Sequence, residues 1–158
     1  MIDQLNREDN RWNVIHTERD AERFLLDFLF FHDAVISGVE YVPNPEPYKR
    51  KDGSACWNTS LTIVFFVYSN KNNYDAQSTE EIPDRVKIEV EFKRTHLFHF
   101  IPFDEGDCNI LSRANIVFSK NTMIWGELPG RYDTRNQYGF TDKKTWIVCE
   151  EIRWRNII

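Results

Sequence analysis

The adjacent pair His32-Asp33 is the first combination in the chain that could do acid–base chemistry. A carboxylate beside an imidazole can orient the ring for proton transfer. Adjacent residues of an extended segment point in opposite directions, however, so these two side chains cannot easily face each other. We therefore expect a polar end to a helix, in which Asp33 caps backbone amides or binds an arginine.

The stretch from His96 onward holds the densest set of potential metal ligands. His96 and His99 are followed by three carboxylates and a thiol, namely Asp104, Glu105, Asp107 and Cys108. The spacing has neither a Cys-x-x-Cys pair nor two histidines four apart on a helix, as zinc sites have. It also lacks the alternating ligands of a calcium loop. On a strand the two histidines would lie on opposite faces, so the sequence predicts no metal site and no cofactor.

The remaining reactive side chains have no supporting motif. Cys56 and Cys149 lack neighbours that would activate a thiolate, and no serine lies in a Gly-x-Ser-x-Gly elbow. Glu150 shares the parity of apolar neighbours. That position predicts either a buried carboxylate that needs a partner, or a bulge at Glu150-Glu151 that turns it outward. The sequence therefore supplies no catalytic residue.

One helix and several strands would position these side chains. Thr17 followed by acidic residues is typical of a helix start, and apolar residues at helical spacing continue to about Phe31. Residues 61–68 are apolar at both parities, which predicts a strand with both faces covered. Residues 86–92 alternate apolar and charged side chains, which predicts a strand with one dry face.

The wet face of that strand carries Lys87, Glu89 and Glu91, and it is either a contact surface or only a solvated one. Turn residues and weaker alternation predict four further strands near residues 34–42, 109–118, 122–126 and 145–155. The segments 44–58, 69–83 and 127–143 are predicted loops. The fold class is α+β, with one N-terminal helix packed on a mostly antiparallel sheet of about six strands, in a single domain spanning residues 1–158.

Composition excludes several classes of function. The chain has 25 acidic and 20 basic residues and a net charge of −5, which disfavours nucleic-acid binding. It has no apolar run long enough to span a membrane and no signal peptide at its start. Three widely spaced cysteines are typical of reduced thiols. We expect a cytoplasmic protein whose acidic surface would attract a basic partner.

Short motifs at three places carry a resemblance to a known group of proteins. They are Phe31-His32-Asp33 after the helix, Ile124-Trp125-Gly126 late in the sheet, and Arg153-Trp154-Arg155 near the end. With the order of elements, they make the chain similar to small uncharacterised bacterial α+β proteins, some of which resemble immunity proteins of polymorphic toxin systems. The resemblance implies a protein that binds and blocks a cognate toxin, and it implies no catalytic residues.

The first functional hypothesis is therefore a non-catalytic protein-binding module of the immunity type. Its candidate contact residues are surface residues of two polar loops: Tyr74, Asp75, Glu80, Glu81, Asp104, Glu105 and Asp107. The tryptophans and arginines near the end are residue types that often anchor protein interfaces. Alternatively, the tryptophans fill the core and the arginines cover the outer surface. They are Trp125, Trp146, Trp154, Arg131, Arg135, Arg153 and Arg155. The alternative hypothesis is a small-ligand-binding protein or enzyme with a pocket between helix and sheet, using His32, His96 or His99.

Overall fold

The computed structural model describes residues 11–44, 46–70, 84–100, 110–127 and 144–157. In these ranges the chain forms helix α1 (Glu18–Asp27), a 3-10 turn (Leu29–Phe31) and eleven strands. The strands are β1 (Asn13–Ile15), β2 (Val35–Val42), β3 (Pro47–Lys49), β4 (Ala55–Trp57), β5 (Ser60–Tyr68), β6 (Arg85–Lys93), β7 (Leu97–His99), β8 (Asn115–Ser119), β9 (Thr122–Gly126), β10 (Trp146–Cys149) and β11 (Glu151–Asn156). The α+β class with mostly antiparallel strands is confirmed.

The strand count of about six is too low, because the described strands divide into sheets of five, four and two. Strands of three residues, such as β1, β3, β4 and β7, are too short to show alternation. In addition, the predicted strand at 145–155 is two strands, β10 and β11, which belong to different sheets. The chain changes sheet at Glu150.

The five-stranded sheet has the order β1-β11-β6-β5-β2. Its inner face carries the apolar residues of the alternating strand, and Ile88, Val90 and Phe92 are fully buried, as predicted. The prediction that both faces of residues 61–68 are covered is wrong. On β5 the inward residues are buried while outward Phe66 is 38% exposed, because in the described ranges the second layer covers one face of this sheet.

The four-stranded sheet, β7-β10-β9-β8, and α1 provide that second layer. Trp125 of β9 is fully buried. Its ring centroid lies 5.4–5.6 Å from the ring centroids of Phe31, Phe65 and Phe92. Phe24 of α1 continues the cluster to Trp154 at 5.5 Å. Aromatic rings thus fill the space between the layers, and they meet in the tilted and edge-to-face arrangements that aromatic pairs prefer.

Helix α1 begins at its predicted cap and ends earlier than predicted. The Asp20 N–H donates to Thr17 Oγ1 at 3.1 Å, and Asp20 Oδ2 accepts from the Thr17 N–H at 2.9 Å, a capping box. The predicted end near Phe31 is wrong because residues 29–31 turn with positive φ angles of 49–58°. This left-handed turn strains three side-chain-bearing residues, and full burial of Phe31 offsets the strain. No helix in the described ranges is long and apolar enough to cross a membrane.

Candidate functional site

The structure brings His32 and Asp33 together, contrary to the expectation that they could not face each other. His32 Nδ1 lies 2.9 Å from Asp33 Oδ2, since Asp33 adopts a φ of 58° instead of an extended conformation. Both side chains are well exposed, and the Asp33 carbonyl accepts from Arg85 Nη2 at 3.1 Å. Solvent therefore surrounds most of this pair.

The two histidines of the second stretch contact different groups, and only His99 lies in a strand, β7. His99 stacks on Trp146 with ring centroids 5.7 Å apart, and its Nδ1 lies 2.9 Å from the Lys144 carbonyl oxygen. His96 Nε2 instead lies 2.9 Å from Glu150 Oε2. Within the described ranges, no three His, Cys, Asp or Glu side chains are arranged to hold a metal ion. The candidate contact residues all lie outside the described residues: Tyr74, Asp75, Glu80, Glu81, Asp104, Glu105 and Asp107.

The sequence did not reveal the densest polar assembly, which surrounds Glu150 and which we call the Glu150 cluster. Arg50 donates to both carboxylate oxygens, from Nε to Oε1 at 2.7 Å and from Nη2 to Oε2 at 2.8 Å. The Cys56 thiol donates to Oε2 at 3.3 Å, in addition to the His96 contact. Arg94 Nε lies 4.0 Å from Oε1 and completes the cluster.

Local backbone structure explains the position of Glu150. Its N–H donates to the Lys93 carbonyl at 3.1 Å at the break between β10 and β11, and its side chain is only 8% exposed. Of the two sequence alternatives, the carboxylate is buried and partnered. Arg50 lies 100 positions away, so no local pattern could have linked the two.

The ionisation of the cluster follows from these contacts. Burial by itself raises the pKa of Glu150, but the hydrogen bonds from Arg50, His96 and Cys56 outweigh burial and hold its pKa at about 2. Burial, and then the hydrogen bond to this carboxylate, raises the pKa of the Cys56 thiol. The pKa of the Arg50 guanidinium is raised by the hydrogen bond to Glu150. At neutral pH the cluster therefore joins a carboxylate, a guanidinium and a protonated thiol.

This order of groups does not suit nucleophilic catalysis. In a catalytic triad the imidazole lies between the nucleophile and the carboxylate, and it takes the proton. Here the carboxylate lies between Cys56 and His96, and a carboxylate with a pKa of about 2 is a weak base for a thiol. The cluster is built to hold its members in place.

A polar cleft of about 360 Å³ opens beside the cluster. Its lining combines cluster members with hydroxyl, amide and charged groups: Arg50, Asp52, Ser54, His96, Ser119, Lys120, Asn121, Thr122 and Glu150. The helix and the sheet edge border a different cleft, of about 400 Å³, whose lining includes Phe24 and Trp154 and no histidine. This second cleft therefore contains none of the candidate histidines His32, His96 and His99.

Apolar side chains on the margin of the fold form a surface that we call the aromatic margin: Val39, Tyr41 and Phe98. Val39 and Tyr41 occupy the inner face of the edge strand β2, because they pair with buried Ile63 and Leu61. The Tyr41 and Phe98 rings lie 5.7 Å apart, so the edges of the two large sheets meet here. These three residues are between 42% and 48% exposed.

The wet face of β6 is not a free acidic surface. Arg153 donates to Glu91, and Arg155 Nε donates to Glu89 Oε2 at 2.6 Å. Both guanidinium groups also lie 4.4 Å from the Trp12 ring. The arginines therefore cover the outer sheet face, and Trp125 fills the core, while Arg131 and Arg135 lie outside the described residues.

Comparisons of the chain with protein-family models, with curated proteins and with solved structures found no match. Function therefore has to be inferred from the side chains themselves. Two features stand out in the described part of the chain: the aromatic margin and the Glu150 cluster with its cleft.

Proposed function

We propose that this chain is a cytoplasmic, non-catalytic protein-binding module of the immunity type, which blocks a basic partner by occlusion. The observation that supports the proposal is the aromatic margin. Monomeric soluble proteins keep contiguous apolar surface small, and larger exposed patches mark interaction sites. Aromatic side chains are also the residues that anchor protein interfaces.

Trp57 is a further exposed aromatic side chain, separate from the aromatic margin. Its side chain is 67% exposed, the largest value among the exposed large apolar side chains described. It precedes Ser60 by three residues, and Ser60 pairs with Val42 at the end of β2. Three residues span at most roughly 10 Å, so Trp57 lies near the Tyr41 end of the margin.

The distribution of charge supports a basic partner. The segments 1–10, 71–83 and 101–109 together hold nine acidic and two basic residues, which leaves 16 acidic and 18 basic residues elsewhere. The acidic surplus thus lies in three segments, one of which joins Phe100 to Ile110 in the chain. Acidic groups would speed the encounter with a basic protein.

The test is a complex with a basic protein encoded by the neighbouring gene. We expect co-elution at 1:1 stoichiometry, and about tenfold or weaker affinity by calorimetry for the double variant Tyr41→Ser/Phe98→Ser. The matched control is Phe66→Ser, which removes an exposed ring from the outer sheet face. Failure of the purified proteins to associate, or equal losses from the double variant and the control, would refute the proposal.

A second candidate function is small-ligand binding, and the position of His96 in the polar cleft supports it. Ser54, Ser119 and Thr122 also line this cleft, and sites for polar ligands carry a few polar groups of this kind. A saturable rise in melting temperature with one compound from a metabolite panel, abolished in His96→Ala, would support it. A flat response across the panel would count against this candidate.

A further inference from the structure

We propose that Glu150 is a positioning residue: its carboxylate fixes the hairpin of residues 47–57 and so determines how Trp57 is presented. The inference rests on the proposed binding function for the role of Trp57. The fixing of the hairpin is a property of the isolated protein and can be tested without a partner.

Backbone pairing does not attach the hairpin to the large sheets. Within the described ranges, β3 and β4 pair with each other and with no third strand. Eight of the eleven residues from Pro47 to Trp57 have exposed side chains. The other three are Arg50 and Cys56, which are half-buried, and the glycine at the tip. A two-stranded hairpin is marginally stable by itself in water, so its orientation depends on side-chain contacts.

Those contacts all lie on one face of the hairpin. Tyr48 and Cys56 are cross-strand partners, and Arg50 shares the parity of Tyr48. Arg50 and Cys56 both donate to Glu150. The Arg94 guanidinium lies 4.2 Å from the centroid of the Tyr48 ring. This face is turned towards the junction of the two large sheets.

The opposite face carries Trp57. It pairs with Pro47, and side chains alternate between faces along a strand. Contacts made by Arg50 and Cys56 therefore turn Trp57 away from the junction and towards solvent, where it is 67% exposed. A rigidly held tryptophan loses less conformational freedom on binding than one on a loose hairpin.

The central position of Glu150 makes it the residue on which this attachment depends. Its carboxylate accepts from one side chain beyond β3 and one within β4. Replacement by glutamine keeps the size of the side chain but removes the charge and one acceptor oxygen. Such a change leaves the Arg50 guanidinium without a bidentate acceptor.

Hydrogen exchange measured by NMR tests the positioning role. In Glu150→Gln we expect exchange of the hairpin amides of Arg50 and Gly53, which donate to the Ser54 and Arg50 carbonyls, to become about tenfold faster or more. Amides of β5 and β6 should change much less. The Trp57 indole should gain fast motion, seen as a lower heteronuclear NOE. A purely global destabilisation would instead accelerate exchange in the core and the hairpin together.

Two further variants keep the result interpretable. Glu91→Gln removes a carboxylate that also accepts from an arginine, but on the outer face of the five-stranded sheet. This change should leave the hairpin amides protected from hydrogen exchange. If Glu150→Gln fails to fold, Arg50→Met tests the same contact from the hairpin side. Unchanged hairpin exchange in either folded variant overturns the positioning role.

Binding to the neighbouring-gene partner separates this inference from the proposed function. If the positioning role and the binding function are both correct, Glu150→Gln and Trp57→Ala each weaken binding. The variant that combines these two changes then binds no more weakly than Trp57→Ala. If Tyr41→Ser/Phe98→Ser weakens binding while Glu150→Gln does not, the positioning role in binding fails and the binding function stands. If no partner binds at all, the proposed function fails while the exchange experiment still decides whether Glu150 fixes the hairpin.

Discussion

At the scale of single residues, Glu150 shows how one carboxylate can act in three places. It lies between two strands and accepts from a remote arginine and from a thiol whose pKa is raised by burial and then by this hydrogen bond. A buried ion pair contributes little net stability compared with apolar packing, yet removing one partner is costly. The cluster should therefore be sensitive to substitution and to pH.

We expect Glu150→Gln to destabilise the protein by about 3 kcal/mol at neutral pH, since a carboxyl whose pKa falls from 4.5 to about 2 on folding contributes roughly that much. Below pH 4.5 the unfolded glutamate binds a proton that the folded one does not, so acid favours unfolding. The contribution is complete above pH 4.5 and is lost as the pH falls towards 2.

Urea denaturation of both proteins between pH 8 and pH 3 measures this difference. The gap in unfolding free energy should stay constant at neutral pH and narrow in acid. A gap that remains constant down to pH 3 would show that Glu150 has an ordinary pKa in the folded protein.

At the scale of elements, Lys120 occupies a backbone conformation that suits glycine. It is the first residue of the two-residue connection between β8 and β9, and its φ is 50°. Two-residue hairpin connections favour glycine at such positions. Lys120→Gly should stabilise the protein by about 0.5–1 kcal/mol, because relief of strain exceeds the added freedom of the unfolded chain.

Thermal or chemical denaturation gives the measurement. The matched control is Asn121→Gly, whose parent residue does not have a positive φ, and which should give no gain. Equal stabilisation by both changes, or none by Lys120→Gly, would contradict the interpretation.

The elements also show which features a sequence can predict. The cap at Thr17 and the alternation at 86–92 are local patterns, and both are confirmed. β3 and β4 have three residues each, too few for periodicity, so the sequence predicts a loop where the structure has a hairpin. The Glu150 cluster joins residues up to 100 positions apart, and spacing carries no information about such contacts.

At the scale of the whole molecule, Trp125 joins the two large sheets. Its ring contacts aromatic residues of the left-handed turn, β5 and β6, while its own strand lies in the four-stranded sheet. Within the described part of the chain its Nε1 is buried and has no hydrogen-bond partner. The indole therefore contributes mainly through packing.

Trp125→Ala should cost about 3–5 kcal/mol, because it opens a cavity at the centre of the core. Trp125→Phe should cost much less, since it keeps an aromatic ring and removes an unpartnered polar atom. Circular dichroism at far- and near-ultraviolet wavelengths tests whether unfolding remains one transition. Separate transitions, or equal costs for the two variants, would mean that the sheets are not coupled through this ring.

The pairing of β1 with β11 also determines how the molecule responds to force. Asn13 lies opposite Trp154 and Ile15 lies opposite Ile152, so the antiparallel strands bring the outer ends of both elements to the same side. A pull applied at residues 11 and 157 would load their hydrogen bonds one after another, as in opening a zipper. β1 should therefore peel away at low force, while β11, paired with β6 over six residues, still holds the remaining sheet together.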